Sequence, residues 1–257
     1  MPLAWHLLLE SAPRSGASNM SADAALLEEA ARTGRAFLRL YRWDPPCLSF
    51  GRNEPALTRY DRVEIERRGM DVVRRPTGGR AVWHQHEVTY AVAAPAGALG
   101  SLAESYCAIH ERLARALTAL GARATLAPRR REVALDQGAG ACFSSAAGGE
   151  VLVDGKKVIG SAQVRERGAL LQHGSILLDG TQDVVAAINR QPAAVGRPPS
   201  TVRETTLAAA LGRSVSFREV SEAIIAQWKA LAPLSEYPTI APSDQRRFAD
   251  PHWTWRR

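Results

Sequence analysis

The chain has 257 residues, 46% of them hydrophobic, and carries 33 Lys and Arg against 26 Asp and Glu, a formal net charge of +7. That length and apolar content predict a single folded domain across 1–257 and exclude general disorder, while the charge suits acidic partners or nucleic acid without choosing between them. Cys47, Cys107 and Cys142 show no CxxC or Cys/His spacing, which excludes a disulfide framework or a zinc site and fits a reducing cytoplasm.

The N-terminal "MPLAWHLLLESAPRSG" has too short an apolar run and no basic start for a signal peptide, and no later segment reaches the length of a membrane span. A cytoplasmic protein away from the membrane is expected. "AWHLLL" reads as a first strand. "SNMSADAALLEEAARTG" reads as a helix, with Ser18 or Asn19 as cap and Gly34 as stop. "AFLRLYRW" returns as a strand, followed by Pro45-Pro46 and the short apolar "CLSFG". "DVVRR" (71–75) and "RAVWHQHEVTYAV" (80–92) read as two strands flanking a turn at Gly78-Gly79, which can take positive φ.

Leu102, Tyr106, Ile109, Leu113, Leu117 and Leu120 recur at intervals of three and four, and Ser101 and Glu104 stand in capping-box spacing, so 101–121 is a helix. Residues 127–149, with three consecutive arginines and then "DQGAGACFSSAAGGE", have no period and read as a mobile loop. In "EVLVDGKKVIGSAQVRERGALLQHGSILL" the Asp154-Gly155 pair and "RERG" mark two turns of a three-stranded meander. A helix near 182–190, a linker "QPAAVGRPPS" and a final amphipathic helix in "SFREVSEAIIAQWKAL", with Ser216 and Glu219 in capping-box spacing, complete the pattern.

Cys142 lies among Gly, Ala and Ser in the loop, where packing gains nothing from a thiol; a reactive cysteine and an incidental small residue are equal readings there. Cys47 and Cys107 read as core fillers. Of Lys156 and Lys157, strand alternation turns one to solvent and the other across the sheet, and only the latter is a candidate to stabilise a thiolate. "DGKK" lysines are more commonly solvated turn residues. Gly78 and Gly79 let the backbone approach a ligand and aim N–H groups at a carbonyl oxygen or phosphate, with Arg74 and Arg75 adding charge, although most such pairs only make turns. His84 and His86 fall on one face of the predicted strand and Glu87 on the other; such histidines are more often structural than catalytic.

In this order, "RRPTGGRAVWHQHEVTY", "CFSS", "DGKKVIGSAQ" and "LLQHGSILL" resemble the lipoate-protein ligase A and octanoyltransferase superfamily, related in fold to biotin protein ligases and class II aminoacyl-tRNA synthetases. The likeness runs from "NMSADAALL" to "DPHWTWRR" and is closest to the cysteine-dependent octanoyltransferases of lipoate assembly. It implies an α/β (α+β) fold with a central mixed, mainly antiparallel sheet flanked by helices. It places the acyl-accepting cysteine at Cys142 and the family lysine at Lys157. Arg75, Gly78, Gly79, Arg80 and His84 would wall the acyl site, with Gly160, Ser161, His173 and Gly174 opposite. The chain departs from its relatives after Cys142, where "SSAAGGE" lacks their proline and aromatic, at Glu54, where they carry Gln or a similar residue nearby, and at Gln85, where they often have Asp.

The resemblance implies octanoyl transfer from octanoyl-acyl carrier protein to a lysine of a lipoyl domain or glycine-cleavage H protein, by a monomer, with no metal or other cofactor. An ATP-dependent lipoate or octanoate ligase, using ATP and Mg, is the nearest alternative. A basic nucleic-acid-binding module is more distant, since no aromatic-basic interleaving supports it. Neither nucleic acid nor membrane is expected as partner.

Overall fold

The structure, a computed structural model, describes residues 3–128, 148–190, 204–241 and 244–256. In chain order its elements are β1 (Trp5–Leu9), α1 (Gly16–Thr33), β2 (Ala36–Tyr41), β3 (Cys47–Phe50), α2 (Ala56–Arg59), α3 (Arg62–Arg67), β4 (Asp71–Arg74), β5 (Val82–His84), β6 (Glu87–Pro95) and α4 (Leu102–Ala119). There follow β7 (Ala124–Leu126), β8 (Val151–Val153), β9 (Lys156–Lys157), β10 (Ile159–Glu166), β11 (Ala169–Leu177), α5 (Asp183–Ala187), α6 (Leu207–Leu211), α7 (Phe217–Lys229), β12 (Leu234–Glu236), α8 (Gln245–Ala249) and α9 (Pro251–Thr254).

Among the described residues the strands form three sheets. The largest runs β10-β11-β6-β2-β1-β12, with β1 parallel to both its neighbours and the remaining pairs antiparallel, as the mixed, mainly antiparallel expectation requires. Both its faces are covered, and strand alternation divides the residues between them. Along β6, Val88, Tyr90, Val92 and Ala94 join the core shared with Ile109, Leu113 and Leu117 of α4 and Ile224 and Trp228 of α7. The intervening Ala91 and Ala93 join Met20, Leu26 and Leu27 of α1 on the opposite face.

Local signals explain most boundaries. Ser101 and Glu104 form the full capping box of α4, and Ser216 Oγ accepts the Glu219 N–H at the start of α7. Gly34 ends α1 in the left-handed conformation. The cap of α1 is Ser15 rather than Ser18 or Asn19. Asn19 is buried instead, and its amide donates to Arg14 O at 3.1 Å and Arg42 O at 3.0 Å, tying the helix to the end of β2.

Three expectations are corrected. The predicted strand 80–92 breaks at Gln85 and His86: β5 pairs with β3 in a small β4-β3-β5 sheet, while β6 pairs with β2 and β11 in the large one. A strand cannot serve two sheets of different direction without a bend, so period-two patterning ran through the break unnoticed. For the same reason the meander divides at Val158: β8 and β9 form a β7-β8-β9 sheet, whereas β10 and β11 join the large one. Finally, α7 is not the last element, because β12, α8 and α9 follow it.

That C-terminal segment is held by Arg74. Its buried guanidinium donates to Gly51 O and Glu54 O at 2.7 and 2.8 Å, and to Thr254 O and Arg256 O at 3.0 and 2.9 Å. Among the described residues no helix is long and apolar enough to cross a membrane.

Candidate active site

Where β10 and β11 approach the small β4-β3-β5 sheet, a pocket opens. Six of the residues expected to wall the site line it together: Arg75, His84, Gly160, Ser161, His173 and Gly174. Met20, Tyr41, Trp43, Val82, Thr89, Ala162 and Ser175 complete the lining. Gly78, Gly79 and Arg80 do not line the pocket; they form the turn that Arg75 braces. Cys142 lies outside the described residues, as does the predicted loop from 129 to 147, and so does the predicted linker at 191–200.

Arg75 is buried, and its fork of donors explains the turn. Nη1 donates to Ser49 O at 2.9 Å and Ser49 Oγ at 2.5 Å, while Nη2 donates to Gly78 O at 3.2 Å and Arg80 O at 2.7 Å. Arg74 and Arg75 are thus both engaged by carbonyls and offer no loose positive charge at the surface. Of the glycine pair only Gly79 has positive φ, at 90°. The tight approach is made by Gly51, where an added Cβ would fall 1.8 Å from Gly79 O. Gly174 is likewise dictated by contact: a Cβ there would stand 2.4 Å from Ser161 Oγ and 2.6 Å from Gly160 O.

Two buried histidines face the pocket, each held by a carboxylate. His84 Nδ1 donates to Glu87 Oε1 at 2.8 Å, its Nε2 contacts Ser49 Oγ at 2.6 Å, and Trp43 stacks on its ring with centroids 4.0 Å apart. The break after β5 lets His84 and Glu87 meet, although an unbroken strand would have put them on opposite faces. His86 does not share that site; its carbonyl accepts the N–H groups of Leu178 and Asp179. Glu87 Oε1 also accepts the hydroxyls of Ser175, at 2.8 Å, and Thr89. His173 is fixed between Thr77 Oγ1 at 2.6 Å and Asp23 Oδ2 at 2.7 Å. Burial opposes the charge on Asp23, yet the His173 bond and the Arg39 guanidinium hold its carboxyl below the usual range. Burial lowers His173 despite the adjacent Asp23.

The lysine pair divides as strand alternation predicted: Lys156 is exposed and Lys157 is 1% exposed. Lys157 Nζ lies 2.7 Å from Glu150 Oε1, in a buried ion pair that spans the hairpin. Three residues beyond Lys157, Gly160 and Ser161 begin the pocket wall. Behind that wall Ser161 Oγ meets Tyr90 and His110. Burial, with the Lys157 ammonium adding to it, pushes His110 down to about 4 against the opposing Gly149 bond. Cys47 is fully buried, and burial together with Asp71 pushes its thiol well above the ordinary value, consistent with a core filler. Cys107 is half-buried.

Residue patterns alone had not singled out Asp23, Thr77, Tyr90, His110 and Glu150. Two of them left a signal. Asp23 sits in register with Met20 and Leu27 on the apolar face of α1, and His110 with Tyr106, Leu113 and Leu117 on that of α4; polar residues at core positions imply buried partners. Among the described residues no group of three or more His, Cys, Asp or Glu is placed to hold a metal ion.

The lipoyl protein ligase A/B catalytic domain model matches residues 15–229. Octanoyltransferase LipM of Kyrpidia tusciae is 45% identical over 197 residues, covering 73% of this chain and 71% of that protein. Octanoyltransferase LipM of Exiguobacterium sp. is 34% identical over 272 residues, covering 98% of each. Among solved structures, a bi-partite lipoate protein ligase from Thermoplasma acidophilum superposes with a TM-score of 0.74 at 20% identity, covering 98% of this chain and 96% of its own. Lipoate-protein ligase A bound with ATP gives 0.74 at 19% identity, covering 99% of each chain. At such identities these likenesses establish the fold, and the sequence relatives establish the acyltransferase activity. The chain therefore belongs to the lipoyl protein ligase A/B catalytic domain family and is an acyltransferase of its octanoyltransferase branch.

Proposed function

We propose that this enzyme moves an octanoyl group from octanoyl-acyl carrier protein to the ε-amine of a lysine on a lipoyl domain or glycine-cleavage H protein, through a thioester on Cys142. The observation that carries this reading is the buried Lys157 ammonium, held by Glu150 and followed directly by the pocket wall at Gly160 and Ser161. A cation beside a thiol favours its ionisation near neutral pH.

In the first half-reaction the Cys142 thiolate attacks the thioester carbon of the donor. The new C–S bond forms, the old one breaks, and the carrier leaves as a thiolate that takes up the proton the Cys142 thiol gave up on ionising. Backbone N–H groups around the acyl site stabilise the oxyanion. In the second, the acceptor amine attacks the enzyme thioester, the amide forms as the C–S bond breaks, and the departing sulfur takes up the proton that nitrogen loses. The incoming bond is already activated, so neither ATP nor a metal is consumed. The arginine excess steers acidic protein partners toward the site.

Incubation with octanoyl-acyl carrier protein, without ATP, followed by intact mass measurement tests the reading. The expected result is an octanoyl adduct that hydroxylamine removes and that Cys142→Ala never forms. Modification of a lipoyl domain that requires ATP and free octanoate would instead establish a ligase.

A further inference from the structure

Much of the pocket wall is polar, yet its donors are already committed. Strand register sets Thr89 opposite Ser175 and Ala162 opposite His173, all on the sheet face that packs against α1. Ser161, one residue from Ala162, turns to the other face, where its Oγ meets Tyr90 and His110. On the α1 face the Tyr41 hydroxyl donates to Asp23 Oδ2 at 2.9 Å and the Trp43 indole to Thr89 Oγ1 at 2.6 Å. The hydroxyls of Thr89 and Ser175 donate to Glu87 Oε1, that of Ser175 at 2.8 Å. His84 is held between Glu87 Oε1 and Ser49 Oγ, and His173 between Asp23 Oδ2 and Thr77 Oγ1, so both nitrogens of each ring face protein oxygens. The terminal nitrogens of Arg75 are engaged by Ser49, Gly78 and Arg80.

Most of these bonds converge on Asp23 and Glu87, neither of which lines the pocket. Although burial opposes it, Asp23 keeps its charge through His173 and Arg39, and so it only accepts. An acyl chain in the pocket therefore meets hydrocarbon, ring faces and unshared lone pairs. A methylene loses nothing there. A ketone oxygen can only accept, and it would give up its water without finding a side-chain donor. We infer that Asp23 and Glu87, by drawing the donors of the wall away from the cavity, set the selection of the acyl chain: plain hydrocarbon is admitted, and a chain of equal length carrying a ketone is rejected.

This rests on the reading of the pocket as the acyl site of the transferase. Asp23 and Glu87 touch no substrate; they are positioning residues that act through Tyr41, His173, Thr89 and Ser175.

The test compares octanoyl-acyl carrier protein with the same carrier bearing an equally long chain whose mid-chain methylene is a ketone, far enough from the thioester to leave its reactivity alone. The ratio of kcat/KM values is read on the acyl-enzyme by intact mass and again on the amide product of a lipoyl domain. The unmodified protein is expected to favour octanoyl at least about tenfold, the consequence of one buried carbonyl left unpaired. In Asp23→Asn the carbonyl oxygen stays on Arg39 and the amide nitrogen takes the place of Oδ2, so it donates to Tyr41 and the Tyr41 proton is released to the pocket. That variant is expected to lower the ratio about fivefold, whereas a merely structural role for Asp23 slows both chains alike. Should Asp23→Asn fail to fold, Ala162→Ser, which adds an uncommitted hydroxyl on the same face, lowers the ratio in its place. Ser175→Ala removes a proton that was never available and leaves the ratio within about twofold of the unmodified value. Equal use of the two chains by the unmodified protein, or an unchanged ratio in folded Asp23→Asn or in Ala162→Ser, overturns the inference. Selection retained in the amide product without any octanoyl adduct on the enzyme overturns the thioester reading alone.

Discussion

His84 Nδ1 stands 2.8 Å from Glu87 Oε1 because the chain turns between them and carries one residue into the small sheet and the other into the large one. Glu87 is the hinge of the pocket's polar wall, since the same oxygen also accepts from Thr89 and Ser175. Glu87→Ala strands three donors in a buried place and is expected to destabilise the protein by about 3 kcal/mol, read as a fall in the urea midpoint. Glu87→Gln keeps an acceptor and loses less.

Lys157 and Glu150 form the buried pair of the site. Removing one partner leaves an uncompensated charge, so Lys157→Met and Glu150→Leu are each expected to cost about 3–5 kcal/mol. The double variant recovers much of that stability. It does not recover acyl-enzyme formation, which needs the ammonium. Urea unfolding and intact mass on the same three variants check both statements.

His110 makes stability fall with acid. Its folded pKa of about 4 lies below the ordinary 6.5, so the unfolded chain binds more protons between those values. The stabilisation is complete above pH 6.5 and is lost as pH falls through 6.5 toward 4. At pH 5 the loss amounts to about 2 kcal/mol. His110→Gln removes this component, and comparing urea midpoints at pH 7 and pH 5 for the two proteins isolates it from His173, which both retain.

Gly174 has no room for a side chain. Gly174→Ala is expected to cost about 1–3 kcal/mol through overpacking and to push Ser161 off its place, slowing octanoyl transfer well beyond the stability change. Thermal unfolding alongside transfer assays at a temperature where the variant is folded separates the two effects.

Ala162 lines the pocket beside Ser161. Ala162→Phe fills part of the cavity, and each excluded methylene removes about 0.8 kcal/mol of burial. The variant is expected to discriminate against octanoyl in favour of shorter acyl groups, measured as a ratio of kcat/KM values across acyl-carrier substrates.

Periodicity and capping chemistry act over a few residues, and where they decide structure the sequence was enough. The helix over Leu102–Ala119 with its Ser101–Glu104 box, the Asp154-Gly155 turn and the division of Lys156 from Lys157 between solvent and interior all followed from local rules. The family motifs likewise marked residues that come together in one pocket, although Gly78, Gly79 and Arg80 shape its turn instead of its lining. Which sheet a strand joins depends on partners distant in sequence, so the break between β5 and β6 and the division at Val158 left no mark in residue alternation. The same holds for the polar partners: Asp23 reaches His173 across 150 positions, and Glu150 finds Lys157 only when the hairpin closes. Burial, with the Lys157 ammonium adding to it, decides that His110 stays neutral, because the cost of a charge depends on its surroundings, a property of packing that no single residue carries.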